Sequence, residues 1–148
     1  MPTIATSGSP AVGLRVLSVM LGVFLIFTGL DKIGWLIDSG FLTRRLQEWY
    51  IAAPPLSRWY LETIAIPGAP LFARLVLFGE LAAGAAMLCG VKIRLAAVLS
   101  LLMVLNFHFA SDVLLHYSYL NNAYGPPVLG GLLALAIGGT RLPFSLSR

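Results

Sequence analysis

One acidic side chain, Glu80, lies near the middle of an apolar stretch over residues 71–89. This stretch is long enough to cross a bilayer, which takes about 20 residues in a helix. A charged side chain at that depth costs roughly 2.5–3.5 kcal/mol on insertion scales, so such residues usually face protein and serve a function. Glu80 is therefore predicted to face protein, where it either fixes helix packing through a hydrogen bond or takes part in chemistry.

Other polar side chains fall at depths from which they could reach Glu80. Lys32 ends the first apolar stretch, Arg74 lies near the start of the second, and three more lie late in the third. We expect all of them to converge in the outer half of a helical bundle. Glu80 and His108 are the candidate catalytic residues. The candidate cofactor-binding residues are Lys32, Arg74, Asn106 and Asp112.

An acid, an imidazole and an amine at the membrane suit proton-coupled redox chemistry of a quinone, whose carbonyl groups need hydrogen bonds. The apolar slot for such a ring could be lined by Phe24, Phe27, Phe78, Phe107 and Phe109. Two structural interpretations stay open: His108 as a packing residue, and the aromatic residues as bundle filler and interface belt. His108, Asp112 and His116 have spacings that permit metal ligation, but one helix rarely completes a site, so no metal is predicted.

The composition indicates a membrane protein. Of 148 residues, 58% are hydrophobic and 11% are charged, whereas soluble domains have about 25% charged residues. The net charge of +4 is thinly spread, which argues against nucleic acid as a partner. The single cysteine, Cys89, excludes an internal disulfide, a multi-cysteine metal site and disulfide exchange through a cysteine pair.

The predicted fold is all-α, an integral membrane four-helix bundle in one domain over residues 12–142. The helices are placed at residues 12–31, 71–89, 95–113 and 122–139, between an N-terminal tail (1–11) and a C-terminal tail (143–148). The first apolar stretch has no small-residue cleavage site and no basic region before it, so it is expected to be a retained span. The lipid bilayer is the first predicted partner.

The connection over residues 33–70 is long and amphipathic. Its first helical segment has one apolar face, formed by Phe41, Leu42, Leu46, Trp49 and Tyr50. Such a segment suits the plane of the membrane interface. The connection is interpreted either as a loop on the membrane surface or as a lid over a cavity.

The distribution of basic residues indicates how the bundle is oriented in the membrane. One side of the bundle would hold Arg15, Lys92, Arg94, Arg141 and Arg148, with no acid. The other side would hold Lys32, Arg44, Arg45, Arg58 and Arg74, offset by five acids. Because the second set lies mostly in one long, charge-balanced loop, both termini are predicted to be cytoplasmic.

Several short motifs resemble the DoxX family of small membrane proteins. They are Arg15 with Gly22, Phe27, Gly29 and Lys32; Phe78–Gly79–Glu80–Leu81 with Gly84 and Gly90; Arg94–Leu95–Ala96–Ala97 with His108; and Gly138–Gly139–Thr140–Arg141–Leu142. The resemblance covers most of the chain. The long connection fits the variable first connection of that family.

The resemblance implies an integral four-helix bundle in a bacterial-type inner membrane. Some DoxX relatives are subunits of a thiosulfate:quinone oxidoreductase, and others act with partner proteins in redox complexes, so a quinone and further membrane or redox subunits are the implied cofactor and partners. Three functional hypotheses follow: a redox-associated subunit that contacts a quinone, a non-catalytic assembly subunit, and a small-molecule or lipid binder.

Overall fold

The computed structural model describes residues 9–114, 116–122 and 124–146. Most of the predicted N-terminal tail, and residues 147–148 of the predicted C-terminal tail with Arg148, lie outside the described residues. The described residues are helical and contain no strand. The α-helices are α1 (Ser9–Asp31), α2 (Gly40–Ala52), α3 (Pro55–Tyr60), α4 (Ala69–Cys89), α5 (Ile93–Ala110), α6 (Tyr117–Leu120) and α7 (Pro126–Gly138). A 3-10 turn (Ile33–Leu36) follows α1, and a π-helical turn (Leu61–Ala65) extends α3.

Three of the described helices, α1, α4 and α5, are long and apolar enough to cross a membrane. Their mean hydropathy lies between 1.7 and 2.2. Each is apolar around most of its circumference, because one face packs inside the protein while the other faces lipid. These three helices confirm the prediction of an all-helical membrane protein.

The fourth apolar helix, α7, is shorter than predicted. It begins at Pro126, and the predicted extension back to residue 122 is wrong. Pro126 and Pro127 occupy the first turn, where a missing N–H costs nothing. Its 13 residues extend about 20 Å, which is less than the roughly 30 Å hydrocarbon core of a bilayer.

The third apolar helix also ends earlier than predicted, at Ala110 instead of residue 113. Ser111 caps it, and Asp112 then adopts a left-handed backbone with φ of 54°. That conformation is uncommon for a non-glycine residue and cannot continue a right-handed helix. Asp112 therefore does not share a helix face with His108.

The four apolar helices pack in a ring in the order α1, α4, α5, α7 and back to α1. All four helices contribute to the most deeply buried side chains of their shared core. These are Leu25 of α1, Met87 of α4, Ala97 of α5, and Leu132 and Leu135 of α7. The ring sets the positions of α1 and α4, which carry the polar residues discussed below.

The amphipathic connection folds back on this ring through α2 and the α3–π segment. Leu42 and Leu46, one helical turn apart, are buried against α4 residues such as Ala69 and Ala73. Both residues belong to the apolar face predicted for this segment. The Ser57 hydroxyl donates a hydrogen bond to the Phe109 carbonyl at 3.0 Å, which ties the connection to α5.

Arg15 stabilises the C-terminal end of α4. Its guanidinium donates to the Met87 and Leu88 carbonyls, each at 2.7 Å, and the side chain is buried. The last carbonyls of a helix lack intrahelical donors, and a cation there complements the helix dipole. An arginine near the end of a membrane-spanning helix often extends toward the lipid headgroups, whereas Arg15 lies between α1 and α4.

Candidate functional site

Glycine residues allow α1 and α4 to approach closely. A Cβ atom at Gly22 would lie 2.9 Å from the Gly84 carbonyl oxygen, and one at Gly84 would lie 2.9 Å from the Gly22 carbonyl oxygen. Two residues before the end of α1, a Cβ at Gly29 would lie 2.9 Å from the Leu81 side chain and 3.4 Å from Glu80 Cβ. This contact brings the end of α1 against the middle of α4.

The close contact pairs Lys32 with Glu80. The Lys32 Nζ lies 2.8 Å from Glu80 Oε2 and 3.0 Å from Oε1, and it also donates to the Thr28 carbonyl at 2.9 Å. The two side chains are 20% and 11% exposed. Because an ammonium group has three N–H donors, these three acceptors use all of them. The ion pair is thus fixed in orientation and shielded from most solvent.

A cavity of about 700 Å³ lies beside the ion pair. Its polar lining comprises Thr28, Asp31, Lys32, Arg45, Glu80 and His108. Its aromatic lining comprises Phe24, Phe27, Trp35, Trp49, Phe107 and Tyr124. Ligand sites in proteins typically have volumes of about 300–1,000 Å³, apolar walls and a few convergent polar groups. This cavity, which we call the main cavity, has all three properties.

His108 forms part of the wall between the main cavity and a smaller cavity of about 190 Å³. Its ring meets the edge of the Tyr119 ring, with 4.8 Å between the centroids. Among the described residues, neither His108 Nδ1 nor the buried Tyr119 hydroxyl has a hydrogen-bond partner. Burial raises the pKa of the Tyr119 phenol, so at neutral pH the phenol stays protonated and remains a donor.

The exposed residues that line the main cavity are of two chemical kinds. Phe27 and Tyr124 are aromatic and are 67% and 68% exposed. Asp31 and Arg45 are charged and also exposed. A ligand with an apolar body and a polar ring or head would match both kinds of residue.

The connection supplies one wall of the main cavity through Leu42, Arg45 and Trp49 of α2. The Trp49 ring packs edge-on against Phe107, with centroids 6.2 Å apart. Trp35, from the 3-10 turn, lies over the Lys32 ammonium at 5.8 Å. The connection is therefore part of the site as well as a link between helices.

Three candidate residues lie outside the main cavity. Arg74 is exposed and donates to the Pro70 carbonyl of its own helix at 2.6 Å. Asn106 accepts a hydrogen bond from the Tyr60 hydroxyl at 2.6 Å on another face of α5. Asp112 lies 3.8 Å from His116 in an exposed pair. Among the described residues, no group of three metal-ligating side chains is placed to bind a metal.

Sequence reasoning identified Lys32, Glu80 and His108 as candidates, and the structure places all three on the main cavity. It overlooked Arg45, Trp35 and Trp49, which come from the connection. The signal for them is the amphipathic connection, which the sequence leaves open as either a loop on the membrane surface or a lid over a cavity. Of the predicted phenylalanine lining, Phe78 is 57% exposed and Phe109 packs on Tyr60 instead.

These features define a helical membrane protein with an ion pair and a ligand-sized cavity among its spanning helices. The chain belongs to the DoxX family, whose model matches residues 13–111. The matched segment includes Lys32, Glu80 and His108, together with the whole connection. No curated protein and no solved structure matches the chain.

Proposed function

We propose that the main cavity binds a quinone-class ring and that the protein is a redox-associated membrane subunit. The observation that carries this proposal is the main cavity itself, which joins a shielded Lys32–Glu80 ion pair to a lining rich in aromatic residues. Flat aromatic side chains suit a flat ring, and cationic or imidazole N–H groups suit its carbonyl oxygens. The redox role is inferred from membership of the DoxX family, some of whose members are subunits of redox complexes.

In this proposal His108 donates a hydrogen bond to one carbonyl oxygen of the ring, and Lys32 donates to the other in place of one of its two bonds to the Glu80 carboxylate. Reduction of a quinone to a quinol takes two electrons and two protons. The electrons come, in this proposal, from a partner redox protein of the kind that the family resemblance implies. Glu80 and His108 are the proposed catalytic residues, because a carboxylate and an imidazole on the wall can exchange protons with the ring.

The proposed placement in the membrane is a four-helix bundle of α1, α4, α5 and α7 in a bacterial-type inner membrane. The face where α4 ends and α5 begins carries Lys92, Arg94 and Arg141. The opposite face carries as many basic residues, but most of them lie in the long, charge-balanced connection, so we assign both termini to the cytoplasm. The main cavity then lies in the outer half, and α2 covers it as a lid.

The quinone content of the purified protein tests the proposal. We expect wild-type protein, extracted from native membranes in mild detergent, to retain quinone, and His108→Phe to retain roughly tenfold less. Phenylalanine keeps the ring packing on Tyr119 but removes the hydrogen bonds, each of which contributes about 1 kcal/mol or more. Mass spectrometry of an organic extract measures the amount.

The matched control is His116→Phe, which changes the chain's other histidine at an exposed position outside the main cavity. Its quinone content should equal that of wild type. Equal content in the two histidine variants, or no quinone in wild-type protein, would overturn the proposal. A sterol or phospholipid in place of quinone would favour the small-molecule or lipid binder.

A second candidate function is a non-catalytic assembly subunit. A groove of about 290 Å³ between α4 and α5 is lined by small residues, including Gly79, Ala82 and Ala86. Ser100 also lines it, and its buried hydroxyl has no partner among the described residues. Small residues and hydroxyls are typical of helix–helix contacts in membranes. This function predicts that Ala82→Leu changes the size of the native complex, while wild-type protein carries no quinone.

A further inference from the structure

A second polar cavity lies at the opposite end of the molecule from the connection. It has a volume of about 240 Å³ and lies where α4 ends, α5 begins and the chain leaves α7. Three cationic residues line it: Lys92, Arg94 and Arg141. We call it the basic cavity. Its residues take no part in the main cavity.

The described lining of the basic cavity is positively charged. None of the described residues that line it is acidic. Asp31 and Asp112 lie at the other ends of α1 and α5, and Glu80 lies within α4. The local field therefore favours an anion, and it is strengthened by the N-terminus of α5 at Ile93, since the first amides of a helix carry partial positive charge.

The backbone around the basic cavity is unusual. In the described part of the chain, four non-glycine residues have positive φ, and two of them, Lys92 (44°) and Arg141 (53°), line this cavity. A third, Phe144 (55°), precedes another lining residue, Ser145. Strained backbone of this kind tends to occur at ligand-binding positions. At these positions the backbone turns, so that Lys92, Arg141 and the C-terminal segment all line the basic cavity.

Ser145 adds a buried hydrogen-bonding group. Its Oγ is buried and has no partner among the described residues. The segment is held in place because the Leu146 N–H donates to the Cys89 carbonyl at 3.2 Å. Gly90 packs so closely that a Cβ there would lie 2.6 Å from Ser145 Cα. A hydroxyl fixed in this way among cations is suited to donate to an anionic oxygen.

From these features we infer that the basic cavity binds the phosphate of an anionic phospholipid headgroup, through Lys92, Arg94, Arg141 and Ser145. The lipid source is favoured because the basic cavity lies at the ends of membrane-spanning helices. Phe144 and Leu146 beside it are 87% and 79% exposed, which suits insertion into the adjacent leaflet. Basic pockets at the cytoplasmic face of helical membrane proteins are suited to such headgroups.

Thermal unfolding of the full chain in mild detergent tests this inference. Phosphatidylglycerol should raise the Tm in a saturable manner, because a ligand that binds only the folded state stabilises it. Phosphatidylcholine, and inorganic phosphate at equal ionic strength, should not. Lys92→Gln/Arg94→Gln/Arg141→Gln should weaken the apparent affinity for phosphatidylglycerol by roughly tenfold or more.

The matched control is Arg44→Gln/Arg58→Gln/Arg74→Gln, which removes the same charge from exposed positions elsewhere and should keep wild-type affinity. Ser145→Ala removes only the hydroxyl and should lower the affinity by about tenfold, so the test stands even if the triple variant does not fold. Equal losses in both triple variants, or no effect of phosphatidylglycerol, would overturn the inference. Equal stabilisation by inorganic phosphate would refute the lipid source. None of these outcomes depends on quinone binding.

Discussion

Glu80→Leu is expected to destabilise the protein by about 3–5 kcal/mol, and adding Lys32→Met should recover most of that loss. The single change leaves the Lys32 ammonium shielded from solvent with only the Thr28 carbonyl as an acceptor. The double change replaces the pair with apolar side chains of similar volume, which is often close to neutral. Unfolding in mixed detergent micelles, followed by circular dichroism, measures both effects.

The same double variant separates stability from function. Lys32→Met/Glu80→Leu should be folded but should retain no quinone, because its main cavity has lost the ammonium and the carboxylate. An exposed pair outside the main cavity, Arg44 and Asp38 at 3.8 Å, provides the comparison, since surface pairs contribute about 1 kcal/mol or less. Additive losses from the two single changes would show that Lys32 and Glu80 do not interact as described.

Gly84→Ala is expected to destabilise the protein by about 1–3 kcal/mol and to weaken the ion pair. A Cβ at this position would lie 2.9 Å from the Gly22 carbonyl oxygen and 3.0 Å from the Ile26 backbone nitrogen. Backbone atoms cannot move aside as the end of a side chain can, so α1 and α4 must separate. That movement would draw Lys32 away from Glu80. Unfolding measurements would detect the loss of stability, and a lower quinone content of the purified variant would detect the weakened ion pair.

Gly13→Ala is the matched control for this effect. Gly13 lies in the same helix as Gly22, and a Cβ there would have nothing within 4 Å. Alanine has a higher helix propensity than glycine by about 1 kcal/mol, so this variant should be neutral or more stable. If Gly84→Ala behaved like Gly13→Ala, the close contact of α1 and α4 would not be the feature that positions the ion pair.

Much of the spanning architecture can be predicted from sequence because long apolar stretches have few structural alternatives in a membrane. The same constraint makes Glu80 informative, since a carboxylate in the middle of such a stretch must face protein. Lys32 could be proposed as its partner because both depths follow from the direction of each helix. Whether Lys32 pairs with Glu80 depends on one close contact between α1 and α4. Gly22, Gly29 and Gly84 favour that contact, but glycine residues alone do not specify it.

The rest of the candidate site depends on contacts that sequence periodicity does not specify. Trp35, Trp49 and Arg45 reach the main cavity because the connection folds back on α4, which is a tertiary event. Arg74 lies on the exposed side of α4, because depth alone does not determine the direction of a side chain around a helix. Asp112 is separated from His108 by the early end of α5, which the uninterrupted apolar pattern did not reveal.

The main cavity contains two of the chain's three tryptophan residues, so fluorescence can show directly whether a quinone binds there. Trp35 and Trp49 line the main cavity, whereas Trp59 is 57% exposed and does not line it. In a Trp59→Phe variant, a short-chain quinone should quench the emission in a saturable manner. A Trp35→Phe/Trp49→Phe variant should show only weak, linear quenching. Equal quenching curves in the two variants would contradict the assignment of the main cavity as a quinone site.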